Sequence, residues 1–220
     1  MTRRDRRHTG SDDRRRHVRR RLVAAGVLVA VIAMAWTAIH RAMPAWYARH
    51  WYPLEYVATI RTHAEQTRVA PDLIAAVIWR ESDFNPDARS SQGAVGLMQV
   101  LPATATFISS QPGGLGYSAD RLGEPEVNIA FGSWYLHYLI DKYGDERVAI
   151  AAYNGGETNA AAWVKDAAAK GRHLTLDDIP FPETRAFVKS VERARSIYRR
   201  VYRAELGISE SGRTPCRDCG

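Results

Sequence analysis

From Leu54 to about Glu205 the apolar residues recur at three- and four-residue intervals, the spacing of one helical face. No alternating strand pattern extends beyond a few positions. Prolines mark several helix starts, because the first helical position has no partner for the N–H that proline lacks. The pattern predicts helices over 54–69, 72–84 (opened by Pro71), 103–109 (opened near Pro102), 124–143, 145–153, 158–170 and 182–201. The 124–143 stretch is apolar nearly all round (Val127, Ile129, Phe131, Trp134, Leu136, Leu139, Ile140), which predicts a central buried helix. Gly/Pro-rich loops fall at 85–96, 110–126 and 171–181. The class is mainly α, with at most a small β element within 88–101.

Upstream, the eighteen residues 22–39 carry no charge and only Thr37 as a polar side chain. As a helix they span about 27 Å, close to the ~30 Å hydrocarbon thickness of a bilayer. Arg19-Arg20-Arg21 stand on one flank, and Trp36, Trp46, Tyr47, Trp51 and Tyr52 cluster at the other end. The expectation is one transmembrane helix with a cytoplasmic N-terminus and the following domain on the outer face of the cell membrane. A cleaved signal peptide, with Ala33-Met34-Ala35 as its small-x-small site, is the alternative and implies secretion. The predicted organisation is a basic arm (1–21), the transmembrane helix (22–39), a linker (40–53), a helical domain (54–206) and a flexible tail (207–220).

Charge sharpens this picture. The 220 residues carry a formal net charge of +7, but ten Arg and three Asp of residues 1–21 account for all of it. The remainder holds 21 basic and 21 acidic residues and is formally neutral. That speaks against a basic nucleic-acid-binding domain and leaves the arm to orient a membrane segment. Cys216 and Cys219 are the only cysteines. A zinc site needs about four ligands and no second pair exists, so no metal, cofactor or redox role is assigned.

Four segments carry candidate chemistry. On the 72–84 helix, Leu73, Val77 and Glu81 fall at i, i+4 and i+8, flanked by Ile74 and Ile78. A carboxyl ending an apolar stripe is desolvated, which raises its pKa and prepares a general acid; a solvent-facing Glu, or one paired with Arg80 or Arg89, is the plainer reading. Ser90 to Gln99 holds two glycines three apart, suited to a tight turn that brings backbone close to a ligand. There Met98 offers an adaptable apolar contact and Gln99 an amide, although a plain turn over a buried Leu-Met pair fits equally. Ala152-Tyr153-Asn154-Gly155-Gly156 reads as a helix C-cap or as an aromatic-amide pair for a sugar face. Glu183 opens the last helix, as a partner of the helix dipole or of a site.

In combination and order, these motifs resemble the bacterial lytic transglycosylases of the soluble type, whose catalytic domain is goose-lysozyme-like. The resemblance runs from about Leu54 to Val201. It rests on Glu81-Ser82, Asn85-Pro86, Ser90 with Gly93-Ala94-x-Gly96-Leu97-Met98-Gln99, Pro102-x-Thr104-Ala105, Asn128-Ile129 with Gly132, Ala152-Tyr153-Asn154 and Glu183-Thr184-Arg185. It implies a lysozyme-like α+β domain and a peptidoglycan-cleaving enzyme without cofactor. Glu81 is then the catalytic acid/base, and Ser82, Ser90, Met98, Gln99, Tyr153, Asn154 and Glu183 bind or support the glycan strand. The implied product is a 1,6-anhydro-N-acetylmuramic acid end. A hydrolytic muramidase on the same fold and an inactive wall-binding scaffold are the alternatives. One position departs from the family pattern: Phe187 stands where a tyrosine is usual, so any hydrogen bond from that hydroxyl is lost.

Overall fold

In the computed structural model the described residues are 19–32, 34, 44–112 and 114–209. The chain divides into two compact units, Met1–Tyr47 and Ala48–Gly220. In the first, residues 19–32 form helix α1, with Leu22, Val23, Val27 and Leu28 exposed. Among the described residues no helix is long and apolar enough to cross a membrane. This overturns the predicted transmembrane helix over 22–39, the membrane partnership through it and the single-pass location built on it. The continuous described apolar stretch, 22–32, amounts to roughly 16 Å as a helix against ~30 Å of hydrocarbon. The end of the predicted span (33 and 35–39), the arm over 1–18, and Cys216 and Cys219 lie outside the described residues.

The order continues with α2 (Ala45–Trp51), α3 (Val57–Thr67), α4 (Pro71–Ser82), α5 (Pro102–Ser110), α6 (Pro125–Tyr143), α7 (Glu146–Gly155), α8 (Glu157–Ala169) and α9 (Pro182–Val201). Short 3-10 turns occupy Ala119–Gly123 and Leu176–Asp178 within the predicted loops. The α+β character also needs correction. No strand is present among the described residues, and two isolated antiparallel bridges, Arg89 with Val95 and Val95 with Val100, are what 88–101 contains. Gly93 (φ 83°) and Gly96 (φ 76°) turn this segment too tightly for a ladder to extend.

Pro71, Pro102, Pro125 and Pro182 each open a helix. Pro44 does the same immediately before α2, within what the sequence presents as a linker. Aromatic donors take the carbonyls at the end of α2: Trp79 Nε1 donates to Trp51 O (3.1 Å), Tyr202 Oη to Tyr52 O (2.8 Å) and Tyr198 Oη to Pro53 O (2.7 Å). Arg49 lies 4.5 Å over the Tyr202 ring and pairs with Glu205 at 2.6 Å.

Helix α6 packs against α3, α5 and α7, while α9 lies along α4 and α7. Leu73, Ile74, Val77 and Ile78 of α4 are fully buried, as an apolar stripe demands. The start of α4 is fixed by Asp72, a buried carboxylate that accepts from Arg199 Nε of α9 at 2.6 Å. Helix α6 is buried in its first half (Val127, Ile129, Ala130, Phe131), but Trp134, Tyr135, Tyr138 and Ile140 are half-buried. The predicted all-round burial therefore holds in the first half, while the second half buries Leu136 and Leu139 and leaves those four side chains partly open.

One polar side chain sits in that buried half. Asn128, with no exposure, accepts from Met98 N at 2.8 Å and donates to Val95 O (2.7 Å) and Leu122 O (2.9 Å). It thus bolts the 88–101 loop to α6. Removing the carboxamide strands Met98 N and Leu122 O, each costing about 1–3 kcal/mol, while Val95 O keeps Val100 N (3.1 Å). Asn128→Ala is expected to destabilise the domain by about 3 kcal/mol or more in urea unfolding; a loss below about 1 kcal/mol would show that water replaces the side chain.

Candidate active site

Helix α4 ends one residue beyond Glu81. Asp83 (φ 52°) and Phe84 (φ 62°) then both adopt the left-handed conformation, with Asp83 N capping Trp79 O at 2.9 Å. Such conformations cost of order 1 kcal/mol each for residues other than glycine. Gln99 (φ 47°), in the loop bolted by Asn128, is a third. Strain therefore collects around the end of α4.

A cleft of about 770 Å³ opens there, lined by Trp51, Trp79, Arg80, Glu81, Ser82, Asp83 and Ala88, with Ala186 and Ser190 from α9. Burial pushes the Glu81 carboxyl up to about 7; the Arg80 guanidinium opposes that shift and the Glu183 carboxylate adds to it. A second groove, of about 520 Å³, is lined by Arg195, Arg199, Arg200 and Arg203 with Glu146 and Glu192. Its Arg195 pairs with Glu146, and its Arg199 pairs with Asp72. The first cleft is the one that holds a carboxyl poised near neutrality.

The structure gathers most, but not all, of the predicted site residues. Tyr153 Oη donates to Met98 O at 2.8 Å. Burial holds the Tyr153 phenol well above its ordinary pKa, with the charge of Glu81 as a further cause, so it remains a neutral donor beside that carboxyl. The Met98 side chain is fully buried, because Gly132 leaves room for it: a Cβ at 132 would fall 2.4 Å from Met98 Sδ. What Met98 brings to the site is its backbone. Gln99 is half-buried and turns its amide back onto Ala88 O (3.1 Å) and Gly96 O (2.9 Å). Ser82 Oγ donates to Leu97 O at 2.8 Å, tying the end of α4 to the same loop.

Ser90 is exposed and accepts from Gln92 N and Ala94 N, which shapes the turn rather than reaching Glu81. Asn154 is half-buried and Glu183 exposed; among the described residues neither side chain makes a hydrogen bond or ion pair. Gly155 explains how α9 comes close, since a Cβ there would meet Trp163 at 2.7 Å and Thr184 Oγ1 at 3.1 Å. Asn128 and Trp51 were missed as site-forming residues, and Arg80 was weighed only as an ion-pair partner of Glu81. A lone Asn within an apolar helix was the available signal for the first, because buried amides demand partners. Among the described residues no group of three or more His, Cys, Asp or Glu is placed to hold a metal ion.

A helical domain whose end-of-helix glutamate faces a loop-walled cleft defines a lysozyme-like class. The model of the Transglycosylase SLT domain family matches residues 58–175, and this chain belongs to that family. It is 34% identical over 151 residues to the soluble lytic murein transglycosylase of Escherichia coli K12, covering 67% of this chain and 23% of that protein. It is 33% identical to the membrane-bound lytic murein transglycosylase C of Actinobacillus pleuropneumoniae, over 66% of this chain and 46% of that one. Among solved structures, the 70 kDa soluble lytic transglycosylase of Escherichia coli superposes with a TM-score of 0.65 at 32% identity, over 77% of this chain and 28% of that one. An inactive Glu-to-Gln mutant of the lytic transglycosylase Slt from Pseudomonas aeruginosa gives 0.65 at 31%, over 86% and 32%. The chain thus spans about a quarter of the length of the soluble relative from Escherichia coli.

The raised pKa of Glu81 has a consequence for stability. Between about 4.5 and about 7 the folded state keeps a proton that the unfolded chain has released, so stability falls as pH rises through that window. The gap corresponds to about 3 kcal/mol, present as a penalty above pH 7 and absent below about pH 4. Glu81→Gln removes the penalty. Its melting temperature should exceed that of the parent at pH 8 and the difference should shrink at pH 4; a pH-independent difference would contradict the desolvated carboxyl. In the same way Glu183→Gln should lower the Glu81 pKa, as read by carbon-13 NMR of the carboxyl.

Proposed function

We propose that residues 54–206 form a peptidoglycan lytic transglycosylase domain with Glu81 as its single acid/base. The observation that carries this reading is the Glu81 carboxyl, pushed up to about 7 by burial at the wall of a cleft. Half-protonated at neutral pH, it is suited both to give and to take a proton. It protonates the oxygen of the β-1,4 bond between N-acetylmuramic acid and N-acetylglucosamine, and the bond to C1 breaks. The neighbouring N-acetyl group supports C1. The Glu81 carboxylate then takes the proton of the C6 hydroxyl as its oxygen closes on C1. The product is a 1,6-anhydro end and no water is consumed. Tyr153, held neutral on Met98 O, and Glu183, which raises the Glu81 pKa, support the acid. The inactive Glu-to-Gln mutant of the Pseudomonas aeruginosa relative supports this reading, since that protein too depends on a glutamate.

Hydrolysis is the competing chemistry, because it uses two carboxylates, about 5–5.5 Å apart for retention or about 6.5–9.5 Å for inversion. Glu183 is the carboxylate that influences Glu81; Asp83 is exposed beyond the helix end and does not. Mass spectrometry of products from peptidoglycan decides, since a hydrolysed end is about 18 Da heavier than an anhydro end. Anhydro ends are expected, with Glu81→Gln slowing their formation at least about 10²-fold, within the range for loss of a general acid. Because the proton must be in place for the first step, kcat/KM should fall above about pH 7. Substantial turnover by Glu81→Gln would remove Glu81 from the mechanism.

A further inference from the structure

The segment that leads from α2 into the helical domain is clasped along its backbone. Its three successive carbonyls, at residues 51, 52 and 53, accept from Trp79 Nε1 (3.1 Å), Tyr202 Oη (2.8 Å) and Tyr198 Oη (2.7 Å). Tyr198 is fully buried, so its hydroxyl requires a partner, and Pro53 O is that partner. The Tyr198 ring also packs 6.3 Å from that of Phe84 and 5.6 Å from that of Tyr202, while the Tyr52 ring lies 4.6 Å from that of Trp79. Trp79 stands two residues before Glu81, and Phe84 three residues after it. The segment therefore holds α4 on both sides of that carboxyl. Both the segment and the two tyrosines lie outside residues 58–175, the span of the family match.

Phe84 is one of the two consecutive left-handed residues that end α4. Such a turn is unfavourable for residues other than glycine and persists only where its surroundings overdetermine it. At Phe84, itself buried, the restraint is the Tyr198 ring, and that ring is oriented in turn by the bond to Pro53 O. Resting on the reading of Glu81 as the acid of a peptidoglycan-cleaving site, we infer that Tyr198 is a positioning residue: between Pro53 O and the Phe84 ring, it fixes the end of α4 so that Glu81 stays in the buried wall of the cleft. Neither Tyr198 nor Tyr202 lines the cleft, so the effect reaches Glu81 through the backbone of α4 and not through substrate. When the clasp is released, the turn after α4 relaxes and water reaches the carboxyl. The desolvation that raises its pKa is then lost.

The test compares the full chain with three variants. Tyr198→Phe keeps the ring and gives up the bond to Pro53 O, whereas Phe84→Leu keeps the bond and gives up the ring contact. Tyr143→Phe is the matched control, because Tyr143 Oη donates to Glu157 O at 3.1 Å and its loss also removes one tyrosine-to-carbonyl bond, away from the clasp. On peptidoglycan, kcat should fall by about tenfold in Tyr198→Phe and in Phe84→Leu while KM stays within about twofold, as for a displaced acid. The alkaline limb of kcat/KM, at about 7 in the parent, should move down in both by about half a pH unit or more. Tyr143→Phe should leave the limb in place. An unmoved limb with only a lowered melting temperature would make Tyr198 a purely structural tyrosine and overturn the assignment. A rise in KM alone, an equal shift in Tyr143→Phe, or a shift in Tyr198→Phe that Phe84→Leu does not share would overturn it as well. Should Phe84→Leu fail to fold, Tyr198→Phe against Tyr143→Phe decides. Carbon-13 titration of the Glu81 carboxyl without substrate reads the same displacement independently of turnover. An unchanged midpoint in Tyr198→Phe refutes the clasp whether or not Glu81 performs the proposed chemistry, and turnover by Glu81→Gln reports on that chemistry separately.

Discussion

The arrangement hangs on a single carboxamide. Asn128 is enclosed in the buried half of α6, where its oxygen and both its N–H groups need partners, and the 88–101 loop and Leu122 supply them. The requirement propagates outward through two glycines. A Cβ at Gly96 would lie 2.5 Å from Asn128 Nδ2, and one at Gly132 would displace the Met98 side chain. With Met98 driven inward, its carbonyl faces Tyr153, whose hydroxyl closes the link to α7. Ser82 then joins the same loop to the end of α4. The position of the loop beside Glu81 is thus set by hydrogen-bond satisfaction at a residue that reaches no substrate.

That fixed frame allows an unfavourable state to persist at the site. Glu81 ends an apolar stripe and is desolvated, while Asp83, Phe84 and Gln99 hold left-handed backbone nearby. Each is individually destabilising, and each is overdetermined by packing elsewhere: Leu73, Val77 and Ile78 along α4, and Asp72 with Arg199 at its start. The two nearest charges pull in opposite directions. Arg80 draws the Glu81 pKa down and Glu183 pushes it up, so burial sets the pKa and the two side chains adjust it around neutrality.

Local signals made the fold legible where they were sufficient. Proline at the first helical position located α4, α5 and α9 to within a residue or two, and a long apolar run located α6. The same signal at Pro44 was read as a break, because α2 is short and its stability comes from tertiary donors on α4 and α9 that no local pattern reveals. The apolar run over 22–39 carried a length argument that the described part of α1 does not meet. At the site, the i, i+4, i+8 stripe pointed to a desolvated Glu81 because helical geometry alone puts that carboxyl behind Leu73 and Val77. Met98 was misplaced in kind: the glycine spacing indicated a tight turn, but only the space over Gly132 shows that its side chain points inward. Trp51 lay beyond reach, since its place at the cleft depends on how α2 docks.

Phe187 ties these points together. A tyrosine there would carry its hydroxyl into a region where the ring is almost wholly buried, and a buried hydroxyl needs a partner. Phenylalanine removes that need and keeps the ring face, over which the Arg80 guanidinium lies at 5.5 Å. Arg80 is the side chain that lowers the Glu81 pKa. The ring at 187 therefore still bears on the acid, through the placement of a neighbouring cation and without a hydrogen bond of its own. The ring face at 187 thereby keeps Arg80 at the edge of the cleft, within electrostatic reach of Glu81.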